Sequence, residues 1–203
     1  MLFPAACLGC QAEGGYLCDS CQKDAFDVRH SSVNGHTLWS VGPYDGLLKT
    51  CIVSVKKRGH KALARELARL AAEAFLEKFP HLGAIQAVMA VPSSEQGQKF
   101  RGFSLSQMVE EALFARGGWE PLPADLRRCY RAMSKSSQGM GPSARMARMH
   151  GDKLEAHPAA QGKGLLLVDD VVTTGATLFR CLTQAEQHGF EPIFCFALAE
   201  HRP

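Results

Sequence analysis

A chain of 203 residues, 46% of them hydrophobic, is long enough to bury one core of ordinary size with a small appendage beside it. No run approaches the ~20 consecutive apolar residues of a spanning helix, so no membrane span is expected. The formal charge of +3 neither requires nor excludes a polyanionic partner, although Lys56-Lys57-Arg58 and Arg127-Arg128 concentrate positive charge locally.

The start, Met1-Leu2-Phe3-Pro4, has no basic region followed by a sufficient apolar stretch. No secretory signal is expected, and the expected compartment is the cytoplasm. There, thiols stay reduced, so the eight cysteines are not read as a disulfide framework. Four of them form two Cys-x-x-Cys pairs, Cys7 with Cys10 and Cys18 with Cys21, separated by seven residues. Two residues between thiols let both sulfurs of a pair face one ion, and four thiolates suit tetrahedral zinc. An iron-sulfur site and two redox-active pairs remain as alternatives. Residues 1–30 are too short of apolar periodicity to fold on burial, so metal binding would supply most of their folding free energy. Cys51, Cys129, Cys181 and Cys195 stand alone and read as small core residues. His30 and His36 read as solvated.

From residue 37 to 203 a second regime is expected. Thr37 to Tyr44 reads as a strand, and Asp45 to Lys57 as a helix with Leu47, Leu48, Cys51, Ile52 and Val55 on one face, broken by Gly59. Leu63, Leu67, Leu70, Ala74 and Phe75 recur at helical spacing, with Pro80 just past the end. Ile85 to Val91 is strand-sized, and a polar loop follows from Pro92 to Phe103. Ser104, with Gln107 three residues on, predicts a capped helix start. Asp125 to Arg131 is read as a weak strand, and Ala132 to His150 as a mobile loop. Leu165 to Val168 reads as a buried strand, Ala176 to Gln187 as a helix stopped by Gly189, and Pro192 to Ala199 as the last strand. Alternation of this kind predicts an α/β fold, a parallel sheet with helices on both faces.

The most informative stretch is Leu165-Leu166-Leu167-Val168-Asp169-Asp170-Val171-Val172-Thr173-Thr174-Gly175-Ala176-Thr177. A buried strand delivers two acids to its carboxyl end, where open α/β sheets bind ligands, and a Thr/Gly turn then opens a helix. Unpaired amides at a helix start, with the threonine hydroxyls, can cradle a phosphate. Ionised Asp169 and Asp170 only accept hydrogen bonds and so suit neighbouring hydroxyls, such as those of a ribose. The bland alternative is a strand ending in an acidic turn. No P-loop or Gly-x-Gly-x-x-Gly signature is present, and Val171 denies the second acid of an Asp-x-Asp phosphatase.

This stretch resembles the diphosphoribosyl-binding signature of type I phosphoribosyltransferases. With the cysteine pairs included, the whole chain resembles the ComF family of competence-associated, phosphoribosyltransferase-like proteins. Weaker landmarks of the likeness are Tyr44-Asp45-Gly46, Lys56, Val91-Pro92, Arg101-Gly102-Phe103, Gln138 and Arg145. Ser104 and Arg148 stand where that family has asparagine. The resemblance implies that Asp169 and Asp170 hold the ribose hydroxyls and are the candidate catalytic pair. It implies that Thr173, Thr174, Gly175, Ala176 and Thr177 bind the 5′-phosphate, and that Pro92, Ser93, Ser94, Lys99 and Arg101 are candidates for the pyrophosphate loop. It also implies Mg2+ carried with phosphoribosyl diphosphate, and it supports a zinc module at residues 1–30 ahead of a transferase-like domain at 37–203.

Two activities follow from that likeness. One is a Mg2+-dependent phosphoribosyl transfer, with the Ala132 to His150 loop closing over the site. The other is a non-catalytic module of DNA uptake in natural transformation, with single-stranded DNA and the competence helicase as partners. Lys56, Lys57, Arg58, Lys61, Arg127, Arg128 and Arg131 discriminate between them. Clustering on one surface beside the pocket would suit nucleic acid, and dispersal would suit a small-molecule enzyme.

Overall fold

The structure is a computed structural model and describes residues 6–79, 83–93, 99–136 and 156–201. Pro80, Ser94, Gln138, Arg145, Arg148 and most of the Ala132 to His150 stretch lie outside the described residues.

The order of elements is α1 (Asp19–Ala25), β1 (Arg29–Val33), β2 (His36–Pro43), α2 (Gly46–Arg58), α3 (Lys61–Lys78), β3 (Ala87–Ala90), α4 (Leu105–Gly117), β4 (Glu120–Pro121), α5 (Ala124–Ser136), β5 (Leu165–Val172), α6 (Ala176–His188) and β6 (Ile193–Glu200). The sheet runs β1-β2-β6-β5-β3-β4, with β1 antiparallel to β2 and every other neighbouring pair parallel. This is the expected α/β architecture, with one antiparallel strand added at an edge.

Strand alternation sends successive side chains to opposite faces, and each face has its own core. Trp39, Val41, Val88, Leu166, Val168, Phe196 and Leu198 pack against α2, α3 and α4. Leu38, Met89, Leu165, Leu167, Cys195 and Ala197 pack with residues of α5 and α6. Phe75 of α3 fits edge-on to Trp39, with ring centroids 5.6 Å apart. Cys51, Cys181 and Cys195 are buried as expected of core thiols, whereas Cys129 is half-buried.

Three readings are corrected. Asp125 to Arg131 is not a strand but lies in α5, which runs through Ser136 and so includes the first residues of the expected loop. The reason is spacing: Leu126 and Tyr130, both buried, are four residues apart and share a helix face. A strand would have placed exposed Arg128 on that same buried face. Second, β5 does not stop at Val168 but continues to Val172, pairing with β6 as far as Val172 opposite Glu200. Third, His36 is not simply solvated, because its ring bonds the Ile193 carbonyl at 3.3 Å and Glu186 at 2.9 Å.

The N-terminal residues lean on the larger body. Leu17 is buried in the first core, and Leu8, Tyr16 and Phe26 pack against it. A Cβ on Gly9 would come within 2.9 Å of Leu47 on α2 and 2.7 Å of the Cys21 sulfur, so glycine is what lets the cysteine loop lie against that helix.

Candidate functional site

Strand β5 carries Asp169 and Asp170 within its last four residues and then turns through Thr173, Thr174 and Gly175 into α6. Gly175 is left-handed, with φ +70°, and a Cβ there would meet Val33 at 3.0 Å. Glycine makes this turn without strain. Thr173, Thr174, Ala176 and Thr177 are exposed. The Thr174 hydroxyl accepts from the Ala176 amide at 3.4 Å, so one hydroxyl of the loop braces the start of the 13-residue helix. The loop thus stands open at the carboxyl end of a central strand, with a helix dipole directed at it.

The two acids do not stand side by side. Because the strand continues through them, Asp169 shares the face of Leu165 and Leu167, and Asp170 shares that of Leu166 and Val168. Asp169 is half-buried, and its Oδ1 accepts from the Asp170 amide at 2.8 Å. Burial, and then the charge of Asp170, push its carboxyl up to about 7. Asp170 is 9% exposed and receives Lys56 Nζ on Oδ1 at 2.8 Å. In the sequence Lys56, in the last turn of α2, is visible as a family landmark and as one of a basic triplet. Nothing local signals a partner 114 residues away in the chain.

The loop after β3 completes the corner. Val91 donates its amide to Val168 at 2.7 Å, which ties the ends of β3 and β5 together. Ser93 Oγ lies 2.7 Å from Ser104 Oγ, which lies 3.0 Å from Ser106 Oγ, and Ser106 donates to the Val91 carbonyl at 3.2 Å. Ser104 also caps α4, accepting from the Gln107 amide at 3.4 Å. Arg101 directs Nη1 to the Lys56 carbonyl at 3.5 Å, and Lys99 is exposed. Of the pyrophosphate-loop candidates, Pro92 and Ser93 follow the carboxyl end of β3, Arg101 reaches Lys56, and Ser94 lies outside the described residues.

Among the described residues, the basic side chains singled out in the sequence fall on both faces of the sheet, most of them at the end of α2 and the start of α3. Lys57, Arg58 and Lys61 are exposed on α2 and α3, which cover one face of the sheet. Arg128 is exposed on α5, which covers the other. Arg127 is tied inward to Glu110 at 2.8 Å.

At the N-terminus the sulfurs of Cys7, Cys10, Cys18 and Cys21 all lie within 4.8 Å of one another. The Cys10 and Cys18 sulfurs are 3.6 Å apart, close to the ~3.8 Å edge of a tetrahedron with Zn–S bonds near 2.3 Å. The Cys18 amide donates to the Cys7 sulfur at 3.4 Å, as amides around metal thiolates do. Hydrogen bonds from the backbone of Cys18 and then Cys10 hold the Cys7 thiol down at about 6. Side-chain hydrogen bonds with the thiols of Cys18 and then Cys7 push Cys21 up to about 12. The four thiols are placed to bind one zinc ion, and they are the one such group of ligand side chains among the described residues. No helix among those residues is long and apolar enough to cross a membrane.

Comparison with known proteins adds little to this geometry. No family model matches the chain, and no curated protein does. Among solved structures it is similar to TT1426 from Thermus thermophilus, at 16% identity over 68% of this chain and 83% of that one, with a TM-score of 0.36.

Proposed function

We propose that the chain is a phosphoribosyltransferase-like protein that binds phosphoribosyl diphosphate or a ribose 5-phosphate group. The observation that carries this reading is the Thr173–Thr177 turn, exposed at its three threonines, which opens α6 at the end of β5 three residues after a buried, lysine-paired acid. In this reading the amides and hydroxyls of Thr173, Thr174, Gly175, Ala176 and Thr177 take the 5′-phosphate. Asp170 accepts from a ribose hydroxyl, while Asp169 stiffens the strand end through the Asp170 amide. Ser93, Lys99 and Arg101 face a departing pyrophosphate, where charge-assisted hydrogen bonds are strongest. Transfer then rests on positioning and on stabilising the leaving group, with no covalent nucleophile. Mg2+ bound to the ligand's own diphosphate oxygens would offset their charge.

The cysteine cluster holds a structural zinc in a module at residues 1–30, ahead of a transferase-like domain at 37–203. The association with DNA uptake in competence rests on the ComF resemblance. Lys57, Arg58 and Lys61 lie next to Lys56 in the chain while Arg128 is exposed on the other face, so the basic residues do not separate this reading from a single-stranded DNA or helicase adaptor, and the binding test does. The test is calorimetric titration with phosphoribosyl diphosphate and Mg2+, followed by a screen for pyrophosphate release with nucleobases. Saturable binding that is lost in Thr174→Val is expected. Binding of single-stranded DNA with no response to phosphoribosyl diphosphate would overturn the reading.

A further inference from the structure

A carboxylate three residues ahead of an anion-binding turn presents a physical difficulty. Asp170 repels whatever phosphate sits on Thr173 to Thr177, and partial burial strengthens the repulsion by lowering the local dielectric. The C-terminal carbonyls of α2 add to the negative potential at the same corner. Two contacts oppose it. Lys56 Nζ lies 2.8 Å from Asp170 Oδ1, and Arg101 Nη1 reaches the Lys56 carbonyl. Asp170 Oδ2 has no partner among the described residues and is not among the buried atoms left unbonded.

We propose that Lys56 is the positioning residue of this site. It neutralises Asp170 so that the turn can accept a phosphate, and by holding Oδ1 it presents Oδ2 to a ligand hydroxyl. The inference rests on the ribose-phosphate reading above and deepens it by assigning charge compensation to the protein rather than to ligand or cation alone. Lys56 acts on phosphate through Asp170 and not by touching it. That distinction makes the effect of the two side chains non-additive in a stated direction.

The experiment is a mutant cycle on the full chain, with inorganic phosphate and ribose 5-phosphate titrated at low salt into wild type, K56M, K56R, D170N and K56M/D170N. K56M is expected to weaken phosphate binding about 3- to 10-fold, as an exposed like charge near the ligand would. K56R should stay within about 2-fold of wild type, because a guanidinium also pairs with the acid. The double variant should regain wild-type affinity for phosphate while remaining weak for ribose 5-phosphate. K56Q, which keeps a donor without charge, replaces K56M if that protein does not fold and should lose phosphate equally.

Phosphate binding as weak in the double variant as in K56M would mean that Lys56 holds phosphate itself, and would overturn the proposal. So would unchanged phosphate affinity in K56M. Wild-type protein that binds neither ligand would overturn the ribose-phosphate reading together with this one. Selective loss of ribose 5-phosphate in D170N, with K56M unaffected, would remove the role of Lys56 alone.

Discussion

Replacing Asp169 by asparagine isolates the electrostatic strain at the end of β5. Burial first, and the charge of Asp170 second, raise this carboxyl from 3.8 to about 7, with Lys56 opposing the shift. Between those values the folded chain keeps a proton that the unfolded chain has released. The contribution of the group to stability is therefore complete below pH ~4 and is lost as pH rises towards 7. A difference of that size corresponds to about 4 kcal/mol in full. Asp169 is only half-buried, so solvent screening brings the expected figure to ~1–2 kcal/mol. Asparagine keeps the Oδ1 acceptor that the Asp170 amide uses, so the local hydrogen bond at 2.8 Å survives the change. For a chain of this size the variant should melt about 3–6 °C above wild type at pH 8, and level with it near pH 4. Calorimetric melting at the two pH values is the assay. The same offset at both pH values, or a larger one in acid, would refute the reasoning.

Two further outcomes are expected. Purified protein should carry about one zinc per chain by elemental analysis, and Cys10→Ser or Cys21→Ser should lower both metal content and melting temperature, because zinc held by the four thiols would add to the packing of Leu17 and its neighbours in ordering that segment. Arg127→Met should destabilise the fold by about 3–5 kcal/mol at pH 8, since it strands the Glu110 carboxylate, 3% exposed, without its partner. Burial already raises the Glu110 carboxyl against the pull of Arg127, so chemical denaturation should show a smaller loss at acid pH, where the stranded group is protonated.

The sequence speaks plainly where one physical requirement acts locally. The Ser104 cap, the glycine stops at Gly59 and Gly189, the two cysteine pairs and the Thr/Gly turn each answer to neighbours a few residues away. It is silent on distance, and the pairing of Lys56 with Asp170 exists only once α2 lies across β5. It misleads where two periods compete, as in α5, whose short run of arginines blurs helical spacing into a strand. The placing of Asp169 and Asp170 on opposite faces is hidden if β5 is ended at Val168, although Val171 and Val172 continue its apolar character. Strand β1 escapes a reading by pattern because Arg-His-Ser-Ser-Val has no apolar alternation. The Asn34-Gly35 dipeptide, with φ of +50° and +84°, is the available sign of a two-residue hairpin.

That hairpin has a bearing on solubility. A parallel sheet ending at β2 would offer a row of unpaired backbone groups beside Leu38, Trp39 and Val41, a template on which another chain could stack. Strand β1 occupies that row and turns a polar sequence, alternately half-buried and exposed, to the outside. At the opposite edge β4 is two residues long and ends in Pro121, which has no amide to donate. Both margins of the sheet are therefore poor partners for a foreign strand. Removing residues up to Val33 would be expected to trade the cysteine cluster for an exposed edge, and aggregation of such a truncated chain would follow from that edge as much as from the lost cysteines.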